Sequence, residues 1–240
     1  MIPKIIHYIW LGGNPLPKIA EKCIESWKKF CPDWEIKRWD EENLNIDINT
    51  YCRQAYDAKK FAFASDVLRF DILSREGGVY VDIDVEFLKP IDELLDQECF
   101  LGLEDDRRFF VAPGLIMGSV AGGELVQKLL DNYSKDVFLN EDGSQNMETV
   151  CVKTTNLLLN EYGLQKKNEV QDLGKVKVYA TEYFNPTNIA TQKVVITPNT
   201  YTIHHYNSSW YTKKMKFKRG VKTFLNKITF GLFGKLFLNK

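Results

Sequence analysis

Apolar and polar positions along the chain mark out an alternation of strands and helices. Ile5-Ile6-His7-Tyr8-Ile9-Trp10-Leu11 is an apolar run closed by Gly12-Gly13, which predicts a buried strand ending in a tight turn. Ile19, Cys23, Ile24 and Trp27 recur at helical spacing and predict a helix over Pro17 to Phe30. Trp34 to Trp39 alternates and predicts a second strand. Strand, helix, strand in this order points to an α/β layer of the nucleotide-binding type.

Ser65 to Glu76 carries the clearest helical pattern. Val67, Leu68, Ile72 and Leu73 form its apolar side, Ser65 is placed to cap its start, and Gly77-Gly78 ends it. Tyr80 to Phe87 follows as an alternating strand, with Val81, Ile83 and Val85 toward the core and Asp82 and Asp84 on the opposite face. Further strands are predicted at Phe100 to Leu103, Gly114 to Ser119, Val176 to Ala180 and Val194 to Thr197, and helices at Glu124 to Tyr133 and Thr149 to Tyr162. A polar-aromatic segment, His204 to Trp210, comes after the last strand.

A length of 240 residues fits one domain with a tail, divided here as 1–212 and 213–240. Formal net charge is zero, yet residues 213–240 hold nine Lys or Arg and no acid, leaving 23 basic against 32 acidic residues in the first 212. An acidic body excludes nucleic-acid binding through a basic footprint. In the tail, Phe217, Val221, Phe224, Leu225, Ile228, Phe230, Leu232, Phe233, Leu236 and Phe237 recur at spacings of three and four among the basic residues. That is the profile of an interfacial helix on an anionic membrane surface, the alternative being a helix docked on the acidic body.

Five cysteines without CxxC spacing argue against a disulfide framework or a zinc-thiolate site and favour a reducing cytoplasm. Met1-Ile2-Pro3-Lys4-Ile5 has no long apolar stretch, so no signal peptide is expected, and no apolar run reaches the ~18 residues of a membrane span. The expected location is the cytoplasm, peripheral at the inner face of the cell membrane.

Asp82 and Asp84 are the first chemical candidates. Strands deplete Asp, and two like charges on one face repel unless a cation binds between them. Mg²⁺ and Mn²⁺ take oxygen ligands and share their coordination with phosphates, so the pair suits a nucleotide diphosphate. With 16 Asp in the chain, about one Asp-x-Asp arises by chance, and context has to carry the weight. Asp66 and Arg69, three apart on the preceding helix, supply it: they can pair with each other or with a ligand.

The run from Phe63 to Val85, containing Ser65-Asp66-Val67-Leu68-Arg69 and Gly77-Gly78-Val79-Tyr80-Val81-Asp82-Ile83-Asp84, resembles the signature of the DXD sugar transferases. That family includes bacterial capsular-polysaccharide transferases, fungal Golgi mannosyltransferases and clostridial glucosylating toxins. Pro3 to Gly13, Glu182 to Pro186 and Tyr201 to Trp210 resemble its opening and closing elements.

The resemblance implies a GT-A-like α/β fold, a single Rossmann-type nucleotide-binding domain with a mixed central sheet. It also implies a metal-dependent glycosyltransferase using Mn²⁺ or Mg²⁺, a nucleotide-sugar donor (UDP-sugar favoured), a saccharide or lipid-linked acceptor, retention of configuration and a role in surface polysaccharide synthesis. By the same resemblance Trp10 stacks on the base, Asp66 and Arg69 hold sugar hydroxyls, and Tyr80 frames the donor. Asp82 contacts ribose or sugar and contributes to the metal site, and Asp84 is the principal metal ligand. His205, or its neighbour His204, is a second metal ligand, Ser208 meets the metal or a phosphate, and Trp210 donates to the diphosphate.

Two rival readings stand beside this one: a nucleotide-sugar-binding module without turnover, and a haloacid-dehalogenase-like phosphotransferase. The latter wants Thr or Val two residues beyond its second Asp, where this chain has Glu86.

Overall fold

The structure, a computed structural model, describes residues 1–105, 108–188 and 193–206. Residues 213–240, on which the membrane-surface expectation rests, lie outside these.

Along the chain, β1 (Ile5–Ile9) leads into α1 (Lys18–Phe30), β2 (Glu35–Trp39), α2 (Thr50–Asp57), α3 (Phe61–Glu76), β3 (Gly78–Tyr80) and β4 (Val85–Phe87). The second half contains β5 (Cys99–Asp105), β6 (Phe110–Val111), β7 (Met117–Ser119), α4 (Glu124–Ser134), α5 (Val150–Glu161), β8 (Gln171–Asp172), β9 (Val176–Tyr179), α6 (Thr181–Phe184) and β10 (Thr202–His204).

The sheet runs β2-β1-β3-β7-β5-β9-β8, with β6 on β5; β1 pairs in parallel with β2 and β3, while β7 runs against both β3 and β5. This is the expected mixed α/β sheet. Two-residue alternation divides its side chains between two cores. Val79 and Phe100 face one with α1 and α6, and Tyr80, Leu101 and Leu103 face the other with α2, α3, α4 and α5.

Four sequence expectations are corrected. Ser65 does not cap a helix: α3 starts at Phe61, and the Ser65 hydroxyl donates to the Ala62 carbonyl at 2.8 Å inside it. The extra turn is buried with Phe63 and Ala64, so packing rather than a cap decides where the helix begins. Tyr80 to Phe87 is not one strand, because a turn at Asp82–Val85 separates β3 from β4, closed by the Val85 N–H on the Asp82 carbonyl at 3.1 Å. Gly114 to Ser119 shortens to β7 because Ala112–Leu115 is itself a turn, with the Leu115 N–H on the Ala112 carbonyl at 3.1 Å. Val194 to Thr197 forms only an isolated bridge from Val194 to Thr187; its apolar residues are exposed and have no sheet face to pack on. The α2 helix went unforeseen; Asn49 caps it by accepting from the Cys52 N–H at 2.8 Å.

The end of α3 is fixed by glycine geometry. Gly77 takes φ +65° and Gly78 φ +102°, and a Cβ on Gly78 would stand 2.7 Å from His7 Nε2. Freed of that clash, His7 Nε2–H donates to the Gly77 carbonyl at 2.8 Å while Nδ1 accepts from the Trp39 indole at 3.1 Å. Both ring nitrogens are used by a neutral imidazole, and burial lowers the His7 pKa. The chain leaves α3 directly into β3, beside β1 in the sheet.

Because the folded pKa of His7 lies below the unfolded value of about 6.5, the unfolded chain binds the extra proton first as pH falls. The His7 contribution is complete above that value and declines below it. Thermal melts of the wild type between pH 7.5 and 5.0 are expected to lose stability, and His7→Gln, though less stable at pH 7.5, is expected to show a shallower slope.

Candidate active site

Arg69 projects from α3 into the interior at the carboxyl edge of the sheet. Its side chain is 4% exposed and that of its partner Asp66 is 10% exposed, with Nη2 donating to Asp66 Oδ1 at 2.7 Å. Nε donates to the Ser65 carbonyl at 3.2 Å, and the guanidinium lies over the Tyr80 ring at 4.7 Å. The same Nη2 is 3.8 Å from Asp82 Oδ1, to which the Tyr80 hydroxyl donates at 3.1 Å. Nη1 is buried and has no hydrogen-bond partner among the described residues. Asp66, Arg69, Tyr80 and Asp82 are therefore brought together in space.

Gly114 belongs to this group and was missed. Its carbonyl accepts from the Asp82 N–H at 2.8 Å, and a Cβ there would collide with the Asp82 carboxylate and stand 2.8 Å from Arg69 Nη1. The Pro113-Gly114 pair, a turn dipeptide, was the available signal.

Asp82 and Asp84 share the site because a turn folds them together, not because they alternate along a strand. The turn is held from below by α1: the Trp27 indole donates to the Val85 carbonyl at 2.8 Å, and Ser26 Oγ accepts from the Phe87 N–H at 2.9 Å. Antiparallel pairing of β10 with β4 sets His204 opposite Val85. His204 Nε2 then lies 3.1 Å from Asp84 Oδ1. His205 places its N–H on the Asp84 carbonyl at 2.9 Å, but its ring goes to Glu86 at 2.7 Å, which also pairs with Lys22. The two adjacent rings therefore part, His204 going to the turn residue Asp84 and His205 to Glu86 on β4.

Burial and crowding of charge shape the ionisation of the site. Burial pushes the Asp66 carboxyl up to about 7 against the opposing pull of Arg69. Burial also raises Asp82, opposed by Arg69 and His204, with the charge of Asp84 adding to the rise. Burial disfavours a charged His204, yet Asp84 and Asp82 outweigh it and raise its pKa.

For a divalent ion the donor set is two aspartates and an imidazole nitrogen, a chemistry that suits Mn²⁺ or Mg²⁺. Among the described residues no three His, Cys, Asp or Glu side chains form a closed cluster. Such ions keep open positions for water and phosphate oxygens, so these residues fit the group.

Trp10 sits just past β1, partly exposed, with its indole N–H donating to the Asn14 carbonyl at 2.6 Å. This bond fixes the ring at the edge of the molecule. Ser208 and Trp210 lie outside the described residues.

The crowding at Gly114 gives a direct check. Gly114→Ala is expected to cost about 1–3 kcal/mol of stability in urea unfolding, the usual penalty of overpacking. It is also expected to lower any donor-dependent activity more than tenfold, because Asp82 and Arg69 have to separate.

Residues 17–101 match the model of a family described as a glycosyltransferase sugar-binding region containing the DXD motif. The chain is 26% identical to an uncharacterized glycosyltransferase of Acanthamoeba polyphaga mimivirus over 88% of its own length and 84% of the relative's. It is 30% identical to inositol phosphoceramide mannosyltransferase 1 of Schizosaccharomyces pombe over 42% of its length, and this covers only 33% of that protein. Against the solved structure of the PaToxG glycosyltransferase the TM-score is 0.52 at 22% identity, covering 68% of this chain and 71% of that one, which marks a shared GT-A-like fold. The Asp66–Arg69 pair and the Asp82–Asp84 turn both lie inside the segment that matches this DXD-motif glycosyltransferase model.

Proposed function

We propose that the protein transfers a sugar from a nucleotide-sugar donor, UDP-sugars favoured, to a saccharide or lipid-linked saccharide acceptor. The observation that carries this reading is the buried Arg69, held by Asp66 at 2.7 Å beside Asp82, with one guanidinium nitrogen unpartnered among the described residues at the carboxyl edge of the sheet. A buried donor without a partner costs stability unless a ligand completes it. Sugar hydroxyls and a phosphate oxygen are the groups that an arginine and two carboxylates recognise together.

Asp66 and Arg69 orient the sugar, Tyr80 holds Asp82 in place by its hydroxyl, and Asp82 accepts from a ribose or sugar hydroxyl. Asp84 and His204 hold the divalent ion, Mn²⁺ or Mg²⁺, with Asp82 contributing. His204 replaces His205 in this role because it is the imidazole that meets Asp84. The ion, when bound, neutralises the charge that develops on the leaving diphosphate. Trp10 offers a fixed aromatic face at the strand end for the base, and Ser208 and Trp210 act on the diphosphate side. Transfer proceeds with retention, and the product belongs to surface polysaccharide or glycolipid synthesis. A relative named for inositol phosphoceramide supports the lipid-linked class.

The test is a donor screen with Mn²⁺ or Mg²⁺ against UDP- and GDP-sugars, following release of free sugar. The wild type is expected to hydrolyse one donor slowly, EDTA to stop it, and Asp84→Asn to reduce it about 100-fold or more. An Asp84→Asn protein as active as wild type would remove the metal assignment.

Attachment to the inner face of the cell membrane through residues 213–240 is part of the same proposal. Deleting them is expected to abolish co-sedimentation with anionic liposomes and to leave donor hydrolysis intact; equal pelleting of both proteins contradicts it.

A further inference from the structure

Asp66 has a back side that the donor reading leaves unused. On α3 it lies between Phe63 and Phe70 on one helical stripe. Phe63 meets Phe138 at 5.4 Å and Phe70 meets Tyr133 at 6.1 Å between ring centroids. Tyr51 packs edge-on against Tyr133 at 5.0 Å and Phe138 at 5.5 Å. The stripe therefore directs the Asp66 carboxyl into an aromatic chamber walled by α2, α3 and α4. The start of α5 lies beside it, with Val150 among the groups that act on the Asp66 carboxyl.

Three hydroxyls in this region, those of Tyr51, Tyr133 and Thr154, are buried without a hydrogen-bond partner among the described residues. Asp66 is the foremost charge acting on both tyrosines. Thr154 stands one turn beyond Val150 on α5 and so shares the face that meets Asp66. The chamber is closed from outside by Lys153, which lies 5.2 Å over the Tyr133 ring and ties Asp136 at 2.5 Å and Glu148 at 3.0 Å. Unsatisfied buried hydroxyls are rare in folded proteins, and three in one region form the kind of lining that internal water satisfies.

We propose that Tyr51, Tyr133 and Thr154 line a chamber holding ordered water against the rear of Asp66, and that they position this carboxylate for the donor sugar. The positioning half rests on the donor reading; the chamber itself does not. Water bonded to the rear oxygen fixes the carboxyl plane, so the front oxygen stays aimed at one sugar hydroxyl. The three residues are positioning residues, acting through Asp66 without touching substrate.

Tyr51→Phe, Tyr133→Phe and Thr154→Val each remove one hydroxyl with little change of volume. If water is bound, each variant melts below wild type. If the chamber is dry, the variants melt above it, since each deletion removes an unsatisfied group, and the proposal falls. A high-resolution crystal structure of the wild type gives the second check: water within hydrogen-bond reach of the two tyrosine hydroxyls supports the chamber, and its absence there overturns it.

For the positioning role, kinetics use whichever of UDP-glucose, UDP-galactose, UDP-N-acetylglucosamine and GDP-mannose the wild type hydrolyses fastest. Donor KM is expected to rise several-fold at near-constant kcat in the three variants, the pattern of weakened ground-state binding. Asp66→Asn separates the two ideas. If it raises donor KM and the hydroxyl variants do not, the positioning role fails and the donor reading stands. If Asp66→Asn leaves donor KM unchanged, the donor reading fails at Asp66.

Discussion

A guanidinium buried at the edge of a sheet is the constraint around which this molecule is arranged. Arg69 is charged at any pH the protein meets, and a buried charge survives only with partners on every side. Asp66 supplies the direct pair, Asp82 a second carboxylate at 3.8 Å, Ser65 a carbonyl and Tyr80 an aromatic face. The opposing pushes are visible in Asp66: burial drives its carboxyl up to about 7 even with a cation in contact. The balance is close, and one guanidinium nitrogen, Nη1, has no hydrogen-bond partner among the described residues.

The rest of the fold fixes where that charge sits. The left-handed glycine at the end of α3 and the neutral His7 beneath it send the chain straight from the helix into β3. The short strand then delivers Tyr80 to the Arg69 side and Asp82 to the edge. From the other side of the sheet, α1 holds the turn through Trp27 and Ser26, and β10 pairs with β4 to bring His204 to Asp84. Pieces separated by as many as 120 residues meet at one point, the His204–Asp84 contact.

Much of this was legible in the residues. The helix bearing Asp66 and Arg69, its two-glycine stop, the apolar strand after it and the mixed α/β layering follow from periodicity and turn chemistry. Local signals misled where packing overrode them. Ser65 carries a capping side chain, but the buried Phe63 and Ala64 draw the helix further back. Val194 to Thr197 has strand composition and no sheet to join. Asp82 to Val85 keeps the alternation of a strand, yet its backbone closes a turn, and no pattern of side chains distinguishes the two.

By itself the sequence named the candidate carboxylates and arginine and determined that they flank a helix stop and a strand. These are properties of residues close together in the chain, and helical and extended spacing constrain them directly. Only the tertiary structure decided which partners arrive from afar. It set His204 rather than His205 against the Asp84 carboxylate, because Asp84 lies in the turn ahead of β4 while Glu86, on the strand itself, takes the His205 ring. It made Gly114 indispensable, because the space for a side chain there is already filled by Asp82 and Arg69. It also buried the hydroxyls of Tyr51, Tyr133 and Thr154 with no hydrogen-bond partner among the described residues. Register, close approach and burial are relations between distant segments, and the packing of the whole core sets them.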